Sequence, residues 1–209
     1  MTEINNQAYR KEPGRVRDIN RLWMPVYPGL ARQVVDVCTA DPRRILEIGC
    51  FSGGVGLELL KIFPKADLTI ALDMPELVVS FNRDWNVCDV PRIKIVETPL
   101  KGMRLSSVGY DLIFCRGAFF FLDSEVVVVL EMFRALAGGG VAFFGGGYGT
   151  YTSKKIIAGI ADESRIKNDA IGRRIYNVLE LRLLLQKNGL EEQTEIVEKG
   201  GLWVVLRKK

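Results

Sequence analysis

The sequence predicts a doubly wound α/β fold with a mostly parallel, seven-stranded sheet and an antiparallel last strand. Short apolar runs alternate with helical patterns from residue 44 onward, as in parallel sheets covered on both faces. A glycine cluster follows the first apolar run, and Lys199-Gly200-Gly201 separates the last two. A turn this short favours antiparallel pairing of the strands that it joins.

Each element is indicated by its own pattern. Helices are predicted from the glycine cluster to Pro64, after Pro75, over 123–136 and over Val178–Lys187. Gly138-Gly139-Gly140 is interpreted as the end of the third of these helices, and the segment GGGYGTYTSKK as a glycine-rich connection. The strands are expected at 44–48, 67–72, 93–97, 110–115, 141–144, 194–197 and 202–206.

The chain divides into an N-terminal segment, residues 1–43, and a domain formed by residues 44–209. The N-terminal segment lies outside the alternating pattern and contains a helix whose face includes Leu30, Val34 and Val37. This helix can flank the sheet, or it can cap the ligand crevice at the carboxyl ends of the strands. Both interpretations can hold together.

Composition excludes several kinds of chemistry. The 209 residues include no histidine, so a nucleophile–histidine pair and histidine-ligated metal sites are impossible. The four cysteines have no metal-site spacing, and we expect free thiols, no metal and a cytoplasmic protein. The net charge of +4 gives no reason to expect DNA binding,. No uncharged apolar run is long enough to span a membrane.

Two acidic residues flank the glycine cluster. Glu47 precedes Gly49 by two positions inside an apolar strand, and Asp73 follows Gly53 by twenty, at the end of the second strand. A glycine turn with a later acid also describes a dinucleotide site, but Glu47 would repel a pyrophosphate. A ligand with a ribose and a cationic amino-acid end suits both acids. Alternatively, Glu47 pairs with Arg43 or Arg44, and Asp73 caps the next helix.

Four segments carry a family resemblance. RILEIGCFSGGVGLEL, LTIALDMPELV, YDLIFCRGAFFFL and FRALAGGGVAFFGGG resemble, in order and spacing, the motifs of class I S-adenosylmethionine-dependent methyltransferases, which have a Rossmann-like sheet. The resemblance implies S-adenosyl-L-methionine as the cofactor. It implies cofactor contacts from Glu47, Gly49, Cys50, Phe51 and Gly53, from Asp73 (ribose) and Met74 (adenine), and from Arg116 and Gly117 beneath the cofactor.

The sequence departs from the family pattern at two cofactor positions. Phe51 replaces the middle glycine of the turn, and the acidic residue often found after the third strand is missing from VETPLKG. We expect Thr98, Pro99 or the backbone near Leu100 to contact the adenine instead.

The acceptor is expected to be a small molecule with an apolar part. The fourth strand lacks the Asn/Asp-Pro-Pro-aromatic signature of methyltransferases that act on bases or glutamine amides. Asp123, Tyr148 and Tyr151 are candidate bases, but no catalytic residue is assigned. An aromatic acceptor pocket is predicted from Trp23, Tyr27, Phe120, Tyr148 and Tyr151. A run such as Phe119-Phe120-Phe121 is more often core than substrate wall.

Two other functions fit the same residues. The chain can be a non-catalytic partner or regulatory protein that keeps the cofactor pocket, and no sequence feature excludes this. It can also be a nicotinamide-dependent oxidoreductase, although Glu47 and the lack of a compact GxGxxG argue against it. The sequence does not indicate the oligomeric state.

Overall fold

The computed structural model describes residues 8–85, 87, 90–98, 105, 109–118 and 127–209. Apolar runs form strands at the seven places that the sequence predicts, although the fifth strand is longer than expected,. The strands are β1 (Arg44–Ile48), β2 (Asp67–Leu72), β3 (Ile93–Glu97), β4 (Tyr110–Arg116), β5 (Leu136–Gly146), β6 (Thr194–Val197) and β7 (Leu202–Arg207).

Local capping signals determine where several helices begin. Proline stands in the first turn of α1 and α2, where its missing N–H costs nothing. The Ser153 side chain accepts a hydrogen bond from the Ile156 amide at the start of α6, and Asn177 forms a capping box with Glu180 at the start of α7,. The helices are α1 (Pro13–Leu22), α2 (Tyr27–Val35), α3 (Gly54–Ile62), α4 (Pro75–Trp85), α5 (Val127–Ala135), α6 (Lys154–Ala170) and α7 (Val178–Lys187).

The strands form one sheet in the order β3-β2-β1-β4-β5-β7-β6. The first five pair in parallel, and β7 runs antiparallel to both β5 and β6. The predicted seven-stranded sheet is therefore confirmed. The strand order reverses between β1 and β4, and in open α/β sheets this switch point forms a ligand crevice at the carboxyl ends of the strands.

Side chains from the central strands form the core. Phe114 of β4, Phe143 of β5 and Trp203 of β7 are completely buried. The Phe143 and Trp203 ring centroids are 4.8 Å apart, a distance typical of stacked aromatic pairs. The Phe114 ring is 6.1 Å from both of them, so this packing holds β4, β5 and β7 together.

The prediction for Gly138-Gly139-Gly140 is wrong. These glycines do not end a helix but lie within β5, which begins at Leu136 directly after α5. The register shifts there, since Leu136 opposes Tyr110 and Val141 opposes Leu112. Gly139 has a φ of 77°, and its amide donates to the Lys208 carbonyl. A glycine bulge of this kind resembles a helix end in sequence because both need a left-handed residue.

The connection after β5 holds a helix that the sequence analysis did not predict. GGGYGTYTS ends at Ser153, and α6 then extends over 17 residues. Only Ile160, Ser164 and Asn168 of α6 are buried, so the apolar stripe that normally reveals a helix is narrow.

The N-terminal segment forms more than the single predicted helix. A 3-10 turn at Ala8–Lys11 precedes α1, and a second turn at Met24–Val26 leads into α2. α2 packs against α3, whereas α1 packs against α4 and α6. No helix in the described part of the chain is both long and apolar enough to cross a membrane.

Candidate functional site

The glycine turn after β1 lies at the switch point of the sheet. Gly49 and Gly53 both have a φ of 112°, which only glycine adopts readily. The Gly49 amide donates to the Ala71 carbonyl of β2 at 3.0 Å. A Cβ at Gly53 would overlap the Phe81 ring of α4. The turn is therefore held between β2 and α4 with its backbone close to both.

Glu47 is completely buried beneath this turn. Its Oε2 accepts a hydrogen bond from the Gly56 amide at 2.6 Å, while Oε1 has no hydrogen-bond partner among the described residues. Burial raises the Glu47 pKa to about 7, although the Gly56 amide opposes the rise,. The alternative ion pair is wrong, because the Arg44 guanidinium lies 3.9 Å from Asp111 instead.

Asp73 is covered by the N-terminal segment. Its Oδ2 accepts a hydrogen bond from the Tyr9 hydroxyl at 2.5 Å and lies 3.7 Å from Arg10 Nε. Its Oδ1 is buried and has no hydrogen-bond partner in the described structure. Burial raises the Asp73 pKa, and the Tyr9 hydrogen bond partly offsets this rise. Neither oxygen hydrogen-bonds to an amide of α4 within the described residues, so the capping alternative is wrong.

Arg116, the last residue of β4, is only 4% exposed. Its Nη2 donates to Asn20 Oδ1 at 2.6 Å. The same nitrogen lies 3.3 Å from the Tyr27 hydroxyl and 3.4 Å from the Phe51 carbonyl. The guanidinium carbon is 4.6 Å from the Trp23 ring centroid and 4.7 Å from that of Phe51. Arg116 thus connects β4 to the glycine turn and the N-terminal helices.

Of the remaining predicted cofactor residues, two are buried, Gly117 is half-buried, and Leu100 lies outside the described residues. Cys50 and Met74 are buried, and burial raises the pKa of the Cys50 thiol. The Gly117 amide donates to the Gly145 carbonyl at 2.8 Å. Leu100 and Phe120 lie outside the described residues, as do Pro99, Phe119, Phe121 and Asp123.

Three of the predicted acceptor residues lie together. The Trp23 and Tyr148 rings stack at 4.8 Å, and Trp23 and Tyr27 share the Arg116 guanidinium. Tyr151 lies elsewhere: it is 42% exposed, and its hydroxyl donates to Asp36 at 2.8 Å. Tyr151 is therefore not part of the cluster that Trp23, Tyr27 and Tyr148 form.

A cavity of about 160 Å³ lies between α1, α4 and the glycine turn. It is smaller than the roughly 300–1,000 Å³ of typical ligand sites. Asn20, Ser52 and Phe81 line it, and Ser52 Oγ is buried without a hydrogen-bond partner among the described residues. Within the same residues, no cluster of three or more acidic or cysteine side chains could hold a metal.

Sequence reasoning missed four residues of this site: Tyr9, Arg10, Asn20 and Phe81. All but Phe81 belong to the N-terminal segment, whose position over the strand tips depends on tertiary packing rather than on a local motif. The polar stretch that contains Tyr9 and Arg10 carries no signal that pairs it with Asp73.

Known proteins match both the sequence and the fold. A family described as "Methyltransferase domain" matches residues 46–144. A malonyl-[acyl-carrier protein] O-methyltransferase of Bacillus cereus is 29% identical over 146 residues, which cover 64% of this chain and 49% of that protein. The chain spans about half the length of the curated relatives it matches.

Solved structures extend the similarity to the whole fold. A crystal structure from Methanococcus maripaludis, described as an S-adenosyl-L-methionine-dependent methyltransferase, has a TM-score of 0.75 and 24% identity, covering 100% of this chain and 97% of that one. Human N-acetylserotonin methyltransferase in complex with SAM has a TM-score of 0.64 and 14% identity, and the match covers 95% of this chain and 57% of that one. Residues 46–144 therefore resemble a methyltransferase domain, and the whole chain has the doubly wound fold of these solved methyltransferases.

Proposed function

We propose that this protein binds S-adenosyl-L-methionine and transfers its methyl group to a small-molecule acceptor. The observation that carries the proposal is Asp73, a buried carboxylate at the tip of β2 whose Oδ1 has no partner among the described residues. A buried acceptor of this kind is costly unless a ligand satisfies it. The two hydroxyls of a ribose would do so.

The neighbouring residues fit the other parts of this cofactor. Glu47 Oε1 is likewise buried without a partner among the described residues, and an ionised Glu47 would be favoured by a nearby sulfonium cation. Gly49, Cys50, Phe51 and Gly53 would line the methionine end, while Met74 would pack on the adenine. When bound, the cofactor supplies a methyl group activated by the positive sulfur. The chain supplies binding and alignment.

Residues 1–43 would act as the cap of this site. Asn20 and Tyr27 contact Arg116, and the Asp73 side chain is completely covered by the segment that contains Tyr9 and Arg10. A ribose can reach Asp73 only if this segment shifts. Cofactor binding would therefore move residues 8–12 and leave the sheet in place.

The acceptor would be a small molecule with an apolar part. Trp23, Tyr27 and Tyr148 provide aromatic surface beside the tip of β4, and the curated relatives, which methylate a malonyl group by name, make malonyl thioesters a sensible first acceptor to test. We also propose a reducing, cytoplasmic location, since Cys38, Cys50 and Cys115 are free thiols,.

Cofactor identity is tested first by thermal shift. S-adenosylmethionine and S-adenosylhomocysteine should raise the unfolding temperature, since a ligand that binds only the folded state stabilises it by about 2.7 kcal/mol at one hundred times its Kd. NADH and ATP should have no effect. Stabilisation by NADH alone would favour the oxidoreductase alternative and contradict the proposal.

The ribose contact is tested with Asp73→Ala. This variant should weaken S-adenosylhomocysteine binding by roughly 1–3 kcal/mol in calorimetry, the usual cost of removing a charged acceptor. Asp162→Ala, which removes an acid that is 93% exposed on α6, is the control and should bind normally. Unchanged affinity in a folded Asp73→Ala protein would remove Asp73 from the site.

A further inference from the structure

Arg116 is a buried cation that no carboxylate of the described residues contacts. No carboxylate of the described residues lies within ion-pair distance of its guanidinium, and its Nε is buried without a hydrogen-bond partner there. The oxygens that it does contact, on Asn20, Tyr27 and Phe51, are all uncharged. Glu47 is the acid that acts on Arg116 from farther away, and its Oε2 is already bonded to the Gly56 amide. A buried charge in this state is costly unless a ligand pairs with it.

The surroundings of Arg116 are built for an organic anion. The rings of Trp23, Tyr27 and Phe51 lie 4.6, 5.4 and 4.7 Å from the guanidinium carbon. Such rings hold the planar group in place and leave its edges for hydrogen bonds. An arginine can donate charge-assisted hydrogen bonds to a carboxylate oxygen.

The position of Arg116 indicates which molecule carries this anion. Asp73 follows β2, whereas Arg116 ends β4, and β1 lies between the two strands. The Trp23 ring, which contacts Arg116, also stacks on Tyr148. Tyr148 follows β5, so the aromatic cluster around Arg116 continues on the side of β4 that is opposite to Asp73. The guanidinium therefore lies between Phe51, at the methionine end of the proposed cofactor, and the Trp23–Tyr148 pair on the β5 side.

We propose that Arg116 holds the carboxylate of the methyl acceptor, so that the acceptor class is an organic acid and the product is its methyl ester. This inference rests on the proposed methyl transfer. One carboxylate oxygen would be held by the guanidinium while the other is directed at the methyl group.

The composition of the chain supports this acceptor class. An alcohol or ammonium acceptor needs a base to remove its proton, and without histidine that base has to be a carboxylate, a tyrosine or a lysine. A carboxylic acid is already ionised at neutral pH. Its oxygen forms the new bond to the methyl carbon, the carbon–sulfur bond breaks, and the electron pair of that bond remains on sulfur. The negative and positive charges cancel, and no proton moves.

The first experiment measures acceptor binding to protein saturated with S-adenosylhomocysteine. The probes are malonyl-N-acetylcysteamine, hexanoate and phenylacetate, each paired with its neutral amide. The wild type should bind at least one carboxylate at least tenfold more tightly than its amide. Arg116→Gln should lose that preference, and Arg116→Lys should keep part of it. Arg32→Gln, which removes an exposed arginine 4.5 Å from the Tyr151 ring, is the matched control and should behave like the wild type.

The second measurement separates the acceptor from the cofactor's own carboxylate. Affinities for S-adenosylhomocysteine and for 5′-methylthioadenosine, which lacks the amino-acid end, are compared in the wild type and Arg116→Gln. The proposal predicts that both change less than threefold. A tenfold loss for S-adenosylhomocysteine alone would assign Arg116 to the cofactor and overturn the proposal.

The third measurement uses only the wild-type protein, so it holds even if the variants fail to fold. After incubation with the same carboxylates and methyl-labelled S-adenosylmethionine, mild alkali should release the label as methanol, because methyl esters are cleaved by alkali. A label that resists alkali, or no preference of the protein for any carboxylate over its amide, would overturn the carboxylate assignment. Absence of S-adenosylhomocysteine binding would instead contradict the proposed function itself.

Discussion

Glu47 and Asp73 lie at the tips of neighbouring strands, and each has one oxygen bonded within the protein and one without a partner among the described residues. Burial raises the pKa of both. Burial therefore disfavours the charged form of each acid, while the hydrogen bonds hold each side chain in position. A cationic, ribose-bearing ligand would favour the charged forms of both acids, since it supplies a positive charge and two hydroxyl donors.

The Glu47 pKa makes a prediction about stability. Its value of about 7 in the folded protein is above the ordinary 4.5, so the folded state binds the proton more tightly than the unfolded state does. The resulting stabilisation is complete below pH 4.5 and is lost as the pH rises through 7. Between pH 5 and pH 8 the wild type should lose about 2–3 kcal/mol of unfolding free energy relative to Glu47→Gln.

Urea unfolding at several pH values measures this difference. In Glu47→Gln the new amide oxygen can still accept a hydrogen bond from the Gly56 amide, so the variant isolates the charge. Glu195→Gln, at an exposed position of β6, is the control and should follow the wild type. Parallel curves for the wild type and Glu47→Gln would show that Glu47 does not titrate in this range.

The sequence predicts these two acids because each follows an apolar strand of fixed length. It does not predict their partners. Tyr9 is separated from Asp73 by 64 positions, and Asn20 from Arg116 by 96. Contacts at such separations depend on how α1 and the turn before it lie across the sheet, and no local pattern encodes that placement.

At the scale of elements, the start of α3 depends on a close approach between helices. A Cβ at Gly54 would overlap the Tyr27 ring of α2, and one at Gly56 would lie 2.6 Å from Glu47 Oε2. Glycine is thus required at position 54 for the contact with α2 and at position 56 for the contact with Glu47.

Two glycine-to-alanine substitutions should change the unfolding free energy in opposite directions. Gly54→Ala should lower the unfolding free energy by about 1–3 kcal/mol, because α2 or Tyr27 has to move. Gly159→Ala lies in α6, where a Cβ meets nothing within 4 Å, and should raise it by about 0.5–1 kcal/mol through helix propensity. Chemical denaturation of the two variants measures both values. A destabilised Gly159→Ala together with a neutral Gly54→Ala would contradict the packing described.

The elements were predicted correctly where the apolar periodicity is strong. The prediction failed where a glycine run fits two different local structures. β1, β2, β3 and α7 begin and end at the predicted residues, because apolar runs and caps agree there. The sequence Gly138–Gly140 is compatible with a helix end and with a β-bulge. The bulge forms because β5 pairs with β4 and β7. α6 escaped prediction because few of its residues are buried.

For the whole molecule, the N-terminal segment joins parts of the chain that are distant in sequence. Trp23 Nε1 donates to Ser164 Oγ of α6 at 2.8 Å, Arg21 pairs with Asp84 of α4 at 2.9 Å, and Tyr9 reaches Asp73 at the end of β2. The segment therefore packs against α4 and α6 and contacts the end of β2. We expect it to move when a ligand enters, since it closes the approach to Asp73.

A crystal structure of the complex with S-adenosylhomocysteine tests the central claim most directly. We predict that the nucleoside lies across the carboxyl ends of β1 and β2, with its ribose hydroxyls on Asp73 and the Tyr9 hydroxyl displaced from that carboxylate. A nucleoside bound elsewhere, or bound while Tyr9 still covers Asp73, would contradict the account.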